Sequence, residues 1–185
     1  MSDRPPATTP RPGRPAQIDL DRIVAAAMTM DPERLTMAAV AEQVGVTKAA
    51  LYRWIAGRDE LLGLVSAELR RRMEGPDRPT AENWRSWLVE HGHRMRREML
   101  RLPGFAVRLL SGPHSHEPAD APGADAVTAA FRYGGAPPER AVQYAQIFTT
   151  AVVGRVAVEQ NPGLSDGVDL DFDLLLDVVI RGATN

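Results

Sequence analysis

TMAAVAEQVGVTKAALYRWIAGR, residues 36–58, sets the architecture of the chain around it. Met37, Val40, Ala41 and Val44 fall at i, i+3, i+4 and i+7, an apolar stripe along one helix face. Thr36 stands just ahead of the stripe, where a side-chain oxygen caps free backbone N–H groups. Gly45 follows it by one residue, where a helix ends in a left-handed conformation and the chain turns sharply. Thr47 offers a second N-cap, and Ala50, Leu51 and Trp54 give a second, shorter helix its inward face. Ala41, four residues before the glycine, is small where the two helices cross. Two short helices around a tight glycine turn make a helix-turn-helix.

The outward positions of the second helix are Thr47, Lys48, Ala49, Tyr52 and Arg53, with Arg58 just beyond. No acid lies between Thr47 and Arg58. A helix fits the DNA major groove, where cations reach guanine acceptors or phosphates and small residues allow close approach to thymine methyls. An ordinary helical hairpin with a solvated basic face carries the same pattern, and the neighbouring residues decide between the two.

Those neighbours are Ile18–Met28, read as a first helix, and the run Leu35–Leu62, with Val46-Thr47, Leu51-Tyr52 and Asp59-Glu60-Leu61-Leu62 at their spacings. Together they resemble the DNA-binding domain of the tetracycline-repressor (TetR) family of bacterial regulators, over about the first third of the chain. The resemblance implies DNA contacts at Thr36, Thr47, Lys48, Ala49, Ala50, Tyr52, Arg53, Trp54 and Arg58. Trp54-Ile55 stands where many relatives carry His and Phe, and Arg58 stands where they carry a phosphate-binding Lys. These departures bear on the operator sequence, not on the fold.

With 185 residues the chain buries a real core as one domain or two small ones. Its net charge is −2, so DNA affinity has to come from a local patch, and the first sixty residues carry as many acids as bases. The absence of cysteine excludes disulfides and thiolate metal sites and suits a cytoplasmic protein. No run approaches the roughly 18 apolar residues of a membrane span, so no membrane partner is expected. Lys48 is the one lysine among 22 basic residues. That arginine usage looks like GC-rich coding, which weakens the lone Lys as a functional signal.

Residues 1–17 hold Pro5, Pro6, Pro10, Pro12 and Pro15 among Arg4, Arg11 and Arg14, a flexible arm. Arg11 and Arg14 suit a narrow A·T-rich minor groove. A plain tail fits equally well. The first helix spans about Asp19–Met30, buries Leu20, Ile23, Val24, Ala27 and Met28, and stops at Asp31-Pro32. The helix-turn-helix domain covers 18–62. A fourth helix over 58–74 carries the link, assigned to 63–75, and Gly75-Pro76 marks the boundary. Arg70, Arg71 and Arg72 read as solvated cations suited to a helix C-terminus.

Residues 76–185 form the second domain, and everything in it reads as helix: about 80–100 with Trp84, Leu88, His91, Met95 and Met99 on one face, then about 105–110, 124–133, 138–160 and 172–181. The fold expected is all-α, about nine helices, with a three-helix N-terminal helix-turn-helix domain and a C-terminal ligand-binding and dimerisation domain. The last two long helices are apolar on more than one face, so they are either central or covered by a partner. The partner reading predicts a homodimer through Ile147, Ala151, Gly154, Leu174 and Val178. It agrees with the family, whose members dimerise through two C-terminal helices.

His91 and His93 point about 200° apart on a helix and cannot share an ion. His114 and His116 can do so in a loop, but without cysteine we expect no metal and no cofactor. No nucleophile elbow, phosphate loop or dinucleotide fingerprint is present, so no enzyme is expected. The resemblance implies an effector site, and Trp84, Trp87, His91, Met95, Phe105, Leu109, Phe131, Tyr144 and Phe148 are its candidates, for a small apolar or amphipathic molecule. The same side chains could simply fill the core. The function expected is a transcriptional regulator, a repressor released from a palindromic operator in double-stranded DNA by that effector. The alternative is a small helical ligand-binding protein or enzyme with a vestigial helix-turn-helix.

Overall fold

Asp19 opens the first helix, α1 (Leu20–Ala27), its Oδ1 accepting from Arg22 N at 2.8 Å. The computed structural model describes residues 19–111, 124–164, 167 and 170–183, and the arm with Arg11 and Arg14, as well as His114 and His116, lie outside these. Among the described residues there are nine α-helices, one 3₁₀ turn at Pro162–Leu164 and no strand. α1 ends earlier than Asp31-Pro32 requires. Thr29 N and Met30 N bond to carbonyls three residues back, and the Thr29 hydroxyl takes the Ala26 carbonyl. This tightening and side-chain competition unwinds the helix before the proline acts. Leu20, expected in the core, is half-buried, while Ile23, Val24, Ala27 and Met28 are buried.

α2 (Met37–Val44) and α3 (Lys48–Leu51) form the helix-turn-helix. Met37, Val40, Ala41 and Val44 are all buried, as the stripe requires. α4 (Arg58–Glu74) buries Leu61, Leu62, Val65 and Leu69, packing first on α1 and then on the helix that follows. That helix, α5 (Trp84–Leu100), starts four residues later than expected. Thr80 N donates to Asn83 Oδ1 at 2.7 Å, and this side chain-to-backbone turn takes the place of the first helical turn.

α6 (Phe105–Ser111), α7 (Ala124–Tyr133), α8 (Pro138–Gln160) and α9 (Phe172–Gly182) complete the chain. α8 is the hub, touching α5, α6, α7 and α9. It buries Ala141, Ala145, Phe148, Val152, Val153, Val156 and Ala157. Its apolar residues are therefore used within the protomer along one face, which widens after Val152. One strip is left over. Ile147 on α8 and Leu174 and Val178 on α9 are each more than half exposed, with Ala151 and Gly154 half-buried beside them. No described helix is long and apolar enough to cross a membrane.

Candidate nucleic-acid interface and interior cluster

The turn between α2 and α3 closes through two backbone bonds. Val46 N donates to Ala41 O at 2.9 Å and Gly45 N to Glu42 O at 3.0 Å. This paired pattern satisfies orphan carbonyls at the end of α2 and needs a left-handed residue, supplied by Gly45 at φ 79. Thr36 Oγ1 accepts from Ala39 N at 3.1 Å and Thr47 Oγ1 from Ala50 N at 3.2 Å. Both threonines are thus N-caps, and both stay at the surface.

α3 is only four residues long, and its continuation explains one correction. Arg53 N and Trp54 N bond to carbonyls three residues back, while Ile55 N reaches Leu51 O. The tighter winding rotates Ile55 into the core, where it is 1% exposed, and turns Trp54 outward at 46%. The inward face is therefore Leu51 and Ile55, with Ala50 half-buried and Trp54 excluded. Trp54 joins Thr47, Lys48, Ala49, Tyr52 and Arg53 on one exposed surface. Lys48 Nζ lies 5.7 Å from the centre of the Tyr52 ring, a cation–π contact that orders both side chains there.

Arg58 has two backbone partners within the protein. Its Nε donates to Leu35 O at 3.0 Å and its Nη2 to Pro32 O at 2.7 Å. The guanidinium ties the start of α4 to the loop between α1 and α2, a partnership no local spacing discloses. Among the arginines at the other end of α4, Arg71 and Arg72 grip Glu68, holding its carboxyl down at about 2. They are solvated, as expected, and also paired within the helix.

The aromatic candidates of the second domain lie in or against its core. Phe105, Phe131 and Phe148 are fully buried, Trp87, His91 and Met95 are buried, and Trp84, Leu109 and Tyr144 are half-buried. The structure joins five of them: the His91 ring stacks on Trp87 at 4.7 Å and 10° and faces Phe148 at 6.4 Å, while Phe131 meets Tyr144 and Phe148. Trp84 stands apart and covers Gly134. Burial, and then the charge of Arg94, push the His91 imidazole down to about 4, so it is neutral at pH 7. Its Nδ1 is buried with no hydrogen-bond partner among the described atoms. His93 goes the other way, with Nε2 2.8 Å from Asp173 Oδ1 on α9. Two surface grooves, of about 790 Å³ along the outer side of α5 and about 590 Å³ between α1 and α4, are lined by other residues.

Sequence reasoning passed over Arg94. Its Nη1 donates to Glu74 O, the last carbonyl of α4, at 3.1 Å. The available signal was a glycine directly after a long helix, which asks what occupies the missing side chain's space.

No protein-family model and no curated protein matches the chain. Solved structures do. The Streptomyces coelicolor TetR family protein ActR, solved with actinorhodin, is 22% identical with a TM-score of 0.73 over 91% of this chain and 96% of its own. A single-substitution variant of TetR from Acinetobacter baumannii AYE, solved with minocycline, is 25% identical with a TM-score of 0.71 over 90% and 96%. BioQ, solved with its natural double-stranded DNA operator, is 24% identical with a TM-score of 0.70 over 91% and 99%. Over about nine tenths of its length, helix-turn-helix head and C-terminal helices alike, the chain shares the helical fold of these proteins.

Proposed function

We propose that this protein is a homodimeric DNA-binding transcriptional regulator, a repressor that a small apolar or amphipathic effector releases from a palindromic operator. The observation that carries the reading is the surface of α3. One lysine, one arginine, two aromatic rings and a small residue stand exposed together on a helix fixed at its start by Thr47. Such a helix inserts in the major groove, where Lys48 and Arg53 reach base acceptors or phosphates and Ala49 allows close approach. Arg11 and Arg14 are assigned to the adjacent minor groove.

In this reading residues 18–62 bind DNA, 63–75 link, and 76–185 bind the effector and dimerise. The apolar strip of Ile147, Leu174 and Val178, with Ala151 and Gly154, supports a second copy as the partner. Two copies are needed because palindromic half-sites lie about 34 Å apart. The actinorhodin and minocycline complexes of the similar proteins support a small-molecule effector. The stacked cluster around His91 is the site assigned to it, with the neutral imidazole as the polar handle. The role is regulatory rather than catalytic, and the compartment is the cytoplasm.

The test is footprinting on the DNA flanking the protein's own gene, where a protected palindrome is expected. Effector action is tested by linkage. A compound that quenches tryptophan fluorescence should lower operator affinity about 5–150-fold, and operator should weaken the compound by the same factor. A protein that protects no site there refutes the reading.

A further inference from the structure

α4 joins the DNA-binding head to the rest of the chain, and an arginine from elsewhere in the fold holds its far end. A helix C-terminus leaves its last carbonyls without intrahelical partners. At Glu74 that carbonyl accepts from Arg94 Nη1 at 3.1 Å, and Arg94 is itself part of α5, most of its side chain buried. Its Nη2 pairs with Glu90 at 3.3 Å, one turn back on the same helix. A guanidinium in this place meets the negative end of the helix dipole and makes charge-assisted hydrogen bonds.

Gly75 is shaped to this contact twice over. Its φ of +67 lies where side chains are strained, and a Cβ there would overlap the Arg94 guanidinium itself. The interior cluster shares α5 with Arg94. His91, stacked between Trp87 and Phe148, precedes it by one turn on α5. The charge of Arg94 also contributes to keeping that imidazole neutral. Arg94 thus stands between the aromatic cluster and the end of the linking helix.

We propose that Arg94 is a positioning residue: by clamping the C-terminus of α4 to α5, against the space left by Gly75, it sets where the DNA-binding head is held relative to the C-terminal domain. Its purpose rests on the regulator reading, while its geometry does not. A shift of α5 at His91 reaches the head through this bond, because α4 is a continuous helix hydrogen-bonded at both ends.

The experiment uses the whole chain, which has no native cysteine. Glu42→Cys on α2 and Arg132→Cys on α7, both exposed, carry spin labels, and the doubly labelled protein is diluted into unlabelled protein so that pulsed dipolar spectroscopy reads the distance within one chain. Arg94→Met keeps the aliphatic stem and removes the donors, Arg94→Lys restores a donor, and Gly75→Ala displaces the guanidinium from the other side. The parent should give one narrow distance distribution, Arg94→Met and Gly75→Ala broader or shifted ones, and Arg94→Lys a return towards the parent. Circular dichroism should show unchanged helix content. Parent-like distributions in both Arg94→Met and Gly75→Ala overturn the proposal. So does a broadening that Arg94→Lys fails to reverse, which assigns the effect to packing. Loss of helix in both variants overturns it as well, because a clamp between intact domains leaves their helices in place. Should Arg94→Met alone fail to fold, Gly75→Ala decides. A parent that binds no DNA would sink the regulator reading and leave the distance result standing.

Discussion

Arg58 Nη2 donates to the carbonyl oxygen of Pro32 at 2.7 Å, bridging 26 positions of sequence. With Nε on Leu35 O, one side chain staples the start of the linking helix to the loop that enters the helix-turn-helix. Hydrogen bonds from a charged donor contribute about 1.5–3 kcal/mol when partly shielded from water. We expect Arg58→Ala to lower the stability of the full chain by about 1–3 kcal/mol, read as a fall in the denaturant midpoint. An unchanged midpoint, with the salt slope of DNA binding reduced by about 1, would restore the phosphate role.

On α3 and the turn that follows it, the charge-bearing positions should behave as DNA contacts without affecting stability. Lys48→Ala and Arg53→Ala are each expected to weaken specific DNA binding by about 1–3 kcal/mol and to relax preference at one position per half-site. Both side chains are exposed, so thermal midpoints should barely move. Fluorescence anisotropy against operator and single-base variants measures this. Equal losses on every sequence would assign the two side chains to phosphates instead.

Gly154 offers a clean probe of the second copy. A Cβ at this position meets nothing within 4 Å inside the protomer, and Arg is a better helix former than Gly. Gly154→Arg should therefore leave the protomer's helix content intact while giving monomers in sedimentation, with operator binding lost. Leu174→Arg, at a position 54% exposed, should do the same. A dimeric Gly154→Arg protein would remove this strip from the interface.

His91 should make stability depend on pH. Its pKa is held down to about 4 in the folded protein, against a usual 6.5. The unfolded chain takes up a proton in that window and the folded chain does not, so stability is full above about pH 6.5 and is lost as pH falls towards 4. A difference of that size corresponds to roughly 3 kcal/mol, reduced by any opening of the core. His91→Phe keeps the stack on Trp87 and should flatten the pH dependence between 4 and 6.5. The same slope in wild type and variant would place the titration elsewhere.

The helices were legible where punctuation is local. The ends of Arg58–Glu74, Tyr133 as the end of α7, and Pro138–Gln160 agree with the sequence expectation, because Gly75, Gly134 and Pro137-Pro138 act on the backbone within a residue or two. The turn at Gly45 and the caps at Thr36 and Thr47 were legible for the same reason. Errors came where side chains competed for backbone groups nearby, as Thr29 does after α1 and Asn83 before α5. Trp54 was misplaced because a 3.6-residue period does not survive a four-residue helix that tightens at its end.

The all-helical class, the helix-turn-helix with its caps, and the surplus of apolar faces on α8 and α9 are written in the chain locally, since each follows from spacing and backbone preference along a continuous segment. It takes the folded chain to bring Arg58 to the carbonyls of Pro32 and Leu35, Arg94 to the end of α4, and the aromatic rings together around His91. Those partners lie far apart in the chain. A guanidinium has the same donors wherever it stands, so its role is set by whichever carbonyl or carboxylate the fold leaves unpaired within its reach.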